Sequence, residues 1–465
     1  MEFYKRIWIL VFLFCFRLLN GQVTESDLKK HVEILASPEF EGRGIRNAGH
    51  KKAELYILRQ LNYARLKPGN QESFRQEFSF KNVLVTPPFN HHIVIQGDTL
   101  INFLDYVSVR TNSAKSKEIV LYAAVDADKI KTKKDEEERK AILIDDVDEQ
   151  ILNTLVMKGF NYIITPVSSD EEFLRLKEIN ESGIIQDISD ANLFLIPSRE
   201  YDMYYLHPKV YTELKHQLKI KQKKAFQKVG NIELPVKKKE INANPSNLLA
   251  LIPGENADST IVISAHYDHI GVINNQVYLG ANDNASGTAG VLAVAKELQK
   301  YANKNGLPKY NILFAFFSCE EVGLKGSQFY VENPASPLNS TIANINLDMI
   351  GNEDEQHKSN PNFIYAYGPK GKSEFLMHKI DSINQESNFL TLDFFENNMQ
   401  VGNKFLRLSD QANFIKNDIP ALFLFNGLSP HYHKVSDRPD KLDYTKMKNV
   451  CNLLVALIKD MAYDL

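Results

Sequence analysis

Asn311–Gln328 reads NILFAFFSCEEVGLKGSQ. The stretch from Ile312 to Phe317 is apolar without alternation. A strand of that pattern is buried on both faces, as in a parallel sheet covered by helices on either side. The run stops abruptly at two neighbouring glutamates, Glu320 and Glu321. They have two readings. Acids in the first turn of a following helix suit its dipole. Alternatively, they stand at the carboxyl end of a strand, where open α/β sheets place their ligands.

The same grammar continues on both sides. NLLALIPG, STIVISAHYD, IANINLDMIG, NFIYAYG and PALFLFNG are further short apolar runs after Pro245. Helical segments lie between or after them: ASGTAGVLAVAKELQKYA, KSEFLMHKIDSIN and DYTKMKNVCNLLVALIKDMA. Strands alternating with helices predict an α/β fold, with a mixed, largely parallel central sheet and helices on both faces. Nearer the N-terminus, ESDLKKHVEILAS and GHKKAELYILRQLNYARLKPG carry apolar residues at helical spacing, the second stopping at Pro68-Gly69. Between residues 71 and 240 the character changes. Short β-like runs such as EIVLYAAV and AILIDDV are broken by charged stretches such as KIKTKKDEEERK and KQKKAFQK, which read as solvated loops or helix faces. The expected organisation is therefore a leader at 1–21, an N-terminal part of the main domain at 22–95, and a mostly β inserted module at 96–240. The main domain resumes at 241–465. The insert is expected to be a lid-like or interaction module, with a plain spacer as its simplest alternative.

With 43% hydrophobic and 24% charged residues, the 465-residue chain is globular in composition. A net charge of −3 without a basic stripe excludes a nucleic-acid partner on electrostatic grounds. Lys5 and Arg6 precede an apolar run from Ile7 to Phe16, and Gly21 follows. This is the pattern of a secretory signal peptide, too short to span a bilayer. The expected location is secreted or periplasmic, with no membrane attachment once the leader is cut; an uncleaved anchor is the rival reading. Only Cys319 and Cys451 would remain of the three cysteines, so no disulfide framework is expected. Nothing in the sequence specifies an oligomeric state.

The residues that end each apolar run are polar and chemically related. His266 and Asp268 follow the strand in STIVISAHYD, and Asp283 lies in the Gly-rich turn GANDNASG. Glu320 and Glu321 follow the next strand, Asp348 the one after, and His433 comes after PALFLFNG. Singly, an Asp after a strand is usually a turn former or helix cap, and a His there is usually satisfied structurally. Together, two imidazoles and several carboxylates on one rim form a donor set suited to zinc. Two metal ions sharing a carboxylate would use more of these acids than one ion could. The motifs of serine hydrolases and of the common one-zinc proteases, G-x-S-x-G and H-E-x-x-H, are absent.

Five segments, SAHYDHIG, GANDNASGTAGVL, SCEEVGLKGSQFY, NLDMIG and PHYHKVSDRPD, resemble the M28 family of zinc aminopeptidases in content and order. LASPEFEGRG and YARLKPG resemble its leading segment. The resemblance covers roughly residues 27–69 and 247–460, and hardly touches the middle module. It implies a zinc-exopeptidase fold, a peptide substrate and two Zn2+ per chain. His266 and Asp348 would hold one ion, Glu321 and His433 the other, and Asp283 would bridge them. Glu320 would be the free general base. Asp268 would accept the second ring N–H of His266, and Tyr432 is a candidate oxyanion donor. Family members often carry SDH where this chain has SDQANF, so Gln411 stands in place of a histidine, which would alter a pocket contact. Two other readings share the fold: a glutaminyl-peptide cyclase-like enzyme with one zinc, and a non-catalytic binding protein.

Overall fold

A computed structural model describes residues 22–45, 47–85, 92–95, 98–101, 106–109, 119–124, 130, 140–181, 202–220, 226–233, 238–273, 276–395, 402–403 and 405–463. The signal-peptide segment 1–21 and most of the two charged runs near 130 and 222 lie outside them. The chain divides into two units, one formed by residues 1–80 with 243–465, the other by 81–242.

The first unit is built on a nine-stranded mixed sheet. Its strands are β1 (Lys67–Pro68), β2 (Arg75–Glu77), β3 (Ser246–Ile252), β4 (Asn256–His266), β5 (Tyr310–Phe317), β6 (Thr341–Leu347), β7 (Phe363–Tyr367), β8 (Thr391–Asp393) and β9 (Ala421–Phe425). They lie in the order β1-β3-β5-β4-β6-β9-β7-β8, with β2 also pairing β3. The central strands β5, β4, β6 and β9 run parallel, while β3 and β7 join them antiparallel. Side chains along the central strands alternate between two apolar layers. Ile312, Phe314 and Phe316 join one core with Ile261, Ile263 and Ala265. Leu313, Ala315 and Phe317 join the other with Leu249 and Val262. The unbroken apolar run of β5 is thus a strand serving two cores at once.

The helices of this unit are α1 (Glu25–Leu35), α2 (Ala48–Tyr63), α3 (Gly287–Asn305), α4 (Lys325–Glu332), α5 (Glu374–Ser387), α6 (Gln411–Lys416) and α7 (Tyr444–Tyr463). Apolar residues of α1, α2, α3, α5 and α7 belong to the larger core. Tyr330 and Val331 of α4 and Phe414 of α6 cover the opposite face. Thr24 starts α1 by accepting the backbone N–H of Asp27 at 3.1 Å. The parallel strands point their carboxyl ends to one rim, where the polar residues of the sequence collect.

The second unit has an eight-stranded sheet. Four of its strands, Ile119–Ala124, Lys140–Ile144, Phe160–Pro166 and Asp202–Leu206, are mutually parallel. Helices Glu149–Met157, Asp170–Glu181 and Pro208–Gln217 accompany them. Strand residues predominate, yet this part of the unit is a βαβ arrangement that the short β-like runs did not disclose. No helix among the described residues is long and apolar enough to cross a membrane.

Candidate active site

Strand β4 delivers His266 to the rim. Its Nδ1 lies 3.2 Å from the backbone carbonyl of Asp268. A carbonyl only accepts, so Nδ1 carries a proton and Nε2 is the nitrogen turned to the site. Nε2 faces Asp348 Oδ1 at 3.3 Å and Asp283 Oδ1 at 3.4 Å. The Asp268 carboxylate is 3.8 Å from the ring. It does not take the imidazole proton expected of it; its own carbonyl does. The carboxylate instead accepts the backbone N–H groups of Glu320 at 3.1 Å and Glu321 at 3.3 Å. Burial pushes its pKa up to about 7.

Asp283 sits in the buried turn Ala281–Ser286 ahead of α3. Its peptide to Asn284 is cis. Its two oxygens face opposite ways: Oδ1 towards His266, Oδ2 towards His433 Nε2 at 3.0 Å and His269 Nδ1 at 3.6 Å. Burial would raise this carboxyl, but the imidazoles of His269, His266 and His433 hold it well below the usual carboxylate range. The turn is held from outside. Asp437 accepts the N–H groups of Asn282 at 2.8 Å and Asp283 at 3.1 Å. Arg43, fully buried, donates to the carbonyls of Leu35, Tyr267, Leu279, Gly280 and Asp283 at 2.7–3.2 Å. Burial lowers its pKa only to about 10, so it remains a cation at neutral pH.

The paired glutamates diverge because the chain curls between them and the strand. β5 ends at Phe317, and Cys319 adopts the left-handed region at φ 62°. Adjacent strand residues would face opposite sides of the sheet; one left-handed residue turns both acids to the rim. Glu321 places Oε2 3.3 Å from His433 Nε2 and Oε1 2.7 Å from His269 Nδ1. Glu320 stands off, its nearest imidazole contact being His266 at 3.9 Å. Burial, reinforced by Glu321, Asp348 and Asp410, raises the Glu320 carboxyl well above its ordinary value. For Glu321 burial and Asp283 push upwards, but His433 and His269 outweigh them and hold it at about 2. Cys319 is buried beside Phe78, with its thiol pushed up by burial; it is a packing residue.

Two donor groups result. His266, Asp283 and Asp348 form one, and His269, Asp283, Glu321 and His433 the other, with candidate ligand atoms in each within 4.8 Å of one another. Imidazole and carboxylate donors at these separations fit zinc. The five residues expected from sequence as ligands all fall in these two groups, with Asp283 in both. Tyr432 is half-buried and stacks on His433 at 3.9 Å between ring centroids. Burial and the nearby carboxylates raise its phenol, which stays protonated. Gln411 is buried and accepts from Asn346 of β6 at 2.8 Å. That bond ties it to the strand leading to Asp348.

Sequence reasoning missed His269, although HYDHIG placed it three residues after His266 at a strand end. It also missed Arg43 and Asp437, both inside quoted motifs, because their partners are backbone groups that no side-chain pattern reveals. Asp410 was missed as well. Its carboxyl is buried near His266 and Asp348, and burial raises it to about 6.

Residues 247–458 match the sequence model of Peptidase family M28. The chain is similar to Leucine aminopeptidase 2 of Trichophyton equinum, with 29% identity over 192 residues, 40% of this chain and 34% of that protein. It thus spans about a third of the length of such curated relatives. It is also similar to Uncharacterized protein YfbL of Escherichia coli (strain K12), 28% identical over 43% of this chain and 66% of that one. Among solved structures, the aminopeptidase from Aneurinibacillus sp. strain AM-1 superposes with a TM-score of 0.62 at 17% identity, covering 95% of this chain and 94% of that one. BSAP, a zinc aminopeptidase from Bacillus subtilis, gives a TM-score of 0.58 at 16% identity, covering 95% of each chain. At such identities these structures show the shared mixed α/β fold. Residues 247–458, a little under half of the chain, are thus similar to peptidase family M28.

Proposed function

We propose that this chain is a two-zinc aminopeptidase that removes N-terminal residues from peptides. The observation that carries the reading is Asp283, which turns one oxygen to each donor group while Glu320 stands outside both. His266 and Asp348 would hold one ion, Glu321 and His433 the other, with Asp283 between them. Bound there, the pair of ions supplies a water of lowered pKa and polarises the scissile carbonyl. Glu320 takes a proton from the attacking water and returns it to the leaving amine. The Tyr432 hydroxyl donates to the developing oxyanion. Asp268 fixes the backbone from which both glutamates project, and the Asp268 carbonyl keeps His266 in its ligand tautomer. The relatives named leucine aminopeptidase point to leucyl substrates as the first to try. Export through the 1–21 leader completes the reading, and N-terminal sequencing of the exported protein checks it.

The deciding experiment is metal analysis together with a panel of aminoacyl, N-blocked and N-terminal glutaminyl substrates. Two zinc ions per chain, hydrolysis of free-amine substrates alone, and loss of turnover on chelation are expected. One zinc per chain with cyclisation of glutaminyl peptides would replace this reading by the cyclase one. Intact binding of peptides without turnover would replace it by the binding-protein one.

A further inference from the structure

His269 is the one imidazole of the rim to which the family resemblance gives no role, and its surroundings are built around it. The ring is fully buried. A Cβ at position 280 would come within 2.5 Å of its Cγ and Cδ2 atoms, so Gly280, at φ 57°, clears the space it fills. All its polar contacts lie on the side of the second donor group: Nδ1 is 2.7 Å from Glu321 Oε1 and 3.6 Å from Asp283 Oδ2. Its Nε2 is buried with no hydrogen-bond partner among the described residues. The nitrogen that makes polar contacts is the one aimed at the cluster.

The spacing has a specific meaning. Four donors about 2.0–2.2 Å from a tetrahedral zinc stand roughly 3.3–3.6 Å apart. His433 Nε2 lies 3.0 Å from Asp283 Oδ2 and 3.3 Å from Glu321 Oε2, and His269 Nδ1 lies 3.6 Å from Asp283 Oδ2. The 2.7 Å contact between His269 and Glu321 is the one short edge. The first donor group, in contrast, has three protein donors. Closed four-donor sites hold zinc structurally, whereas sites with three protein ligands keep a position open for chemistry. We infer that His269 is the fourth protein ligand of the second metal position. The site is then asymmetric: a closed, firmly held ion at His269, Asp283, Glu321 and His433, and an open, more labile one at His266, Asp283 and Asp348.

This inference rests on the two-metal reading, and the test separates the two. The rival role for His269 is to donate a hydrogen bond that orients Glu321. Asparagine and aspartate both place an atom where Nδ1 stands. His269→Asn can donate to Glu321 but is a poor zinc ligand, while His269→Asp can bind zinc but cannot donate. Zinc affinity and stoichiometry of wild type and both variants are measured by chelator competition, with melting of the metal-free chains as the check on folding. The expected result is that wild type holds two ions, one more tightly. His269→Asn then weakens one ion by more than about 100-fold, beyond the range for a merely supporting residue, while His269→Asp stays near wild type. Retained affinity in His269→Asn with loss in His269→Asp overturns the inference, as does wild-type affinity in both variants or comparable loss in both. A wild type holding a single ion overturns the two-metal reading. The ligand assignment then survives only if that ion shows the same Asn-against-Asp contrast, and falls if it does not.

Discussion

Glu320 and Glu321 show how one residue of backbone gives neighbouring acids different surroundings. Cys319 in the left-handed region swings both carboxylates to the rim, and the imidazoles of His269 and His433 claim only the second. Glu320→Gln should therefore keep fold and metal content while lowering kcat by about 10²–10⁴-fold, the usual contribution of a general base; turnover equal to wild type would dismiss the role. A second prediction concerns His50, which stacks on Tyr267 and faces Ser318 Oγ at 2.8 Å, two residues ahead of Glu320. Burial holds its pKa at about 4, against an ordinary 6.5. The unfolded chain binds a proton there that the folded chain refuses. This contribution to stability is whole above about pH 6.5, shrinks as pH falls, and is gone below about pH 4. Denaturant titrations should show wild type losing up to roughly 3 kcal/mol more than His50→Gln across that window. Parallel losses in the two proteins would exclude His50 as the cause.

At the scale of elements, the central strands were legible in the sequence because a strand buried on both faces has no alternation to misread. Their carboxyl ends were legible too, since each ends in a His or an acid. What stayed hidden has physical reasons. Arg43 is engaged wholly by carbonyls, which every residue carries, so its five acceptors left no trace in the pattern. Asp437 likewise binds backbone N–H groups. The helices of the second unit were obscured because their faces are short and charged, as in DEEFLRLKEINE. Arg43 also makes the sharpest prediction at this scale. Lysine keeps the charge but offers three donors where five carbonyls wait. Arg43→Lys should cost about 2–6 kcal/mol, since two buried acceptors are left unpaired at about 1–3 kcal/mol each. Arg43→Met should cost more and weaken zinc binding, because the Asp283 turn loses its anchor. Thermal melts and zinc titration measure both; a melting temperature unchanged in Arg43→Met would show the clamp to be dispensable.

For the whole molecule, the place where residues 81–242 leave and rejoin the first unit matters most. Glu77 of β2 pairs with Ser246 of β3, and the Phe78 N–H bonds the Pro245 carbonyl at 3.1 Å. The two ends are therefore neighbours within one sheet, the situation in which domain insertion is tolerated. Joining Phe80 to Ala243 by a short Gly-Ser linker should give a chain that folds cooperatively and binds as much zinc as the parent, measured by circular dichroism and metal analysis. An aggregated or metal-free product would show that the first unit needs its insert. Comparing short and long peptides on the shortened chain addresses the insert itself. Unchanged turnover of short substrates with altered preference for long ones is the result expected of a lid-like or interaction module, and an unaltered profile that of a spacer.

The clamp has a consequence in time as well as in space. Arg43 precedes Gly280 by 237 positions and Asp283 by 240, and His433 follows them both. During synthesis the guanidinium emerges long before the turn it secures, and the last imidazole later still. Contacts of such separation form late in folding. A nascent chain thus has no competent centre until it is nearly finished, and zinc uptake should mark completion rather than initiate it. For a chain read as a peptidase, that order keeps the unfinished polypeptide inert towards itself and its neighbours.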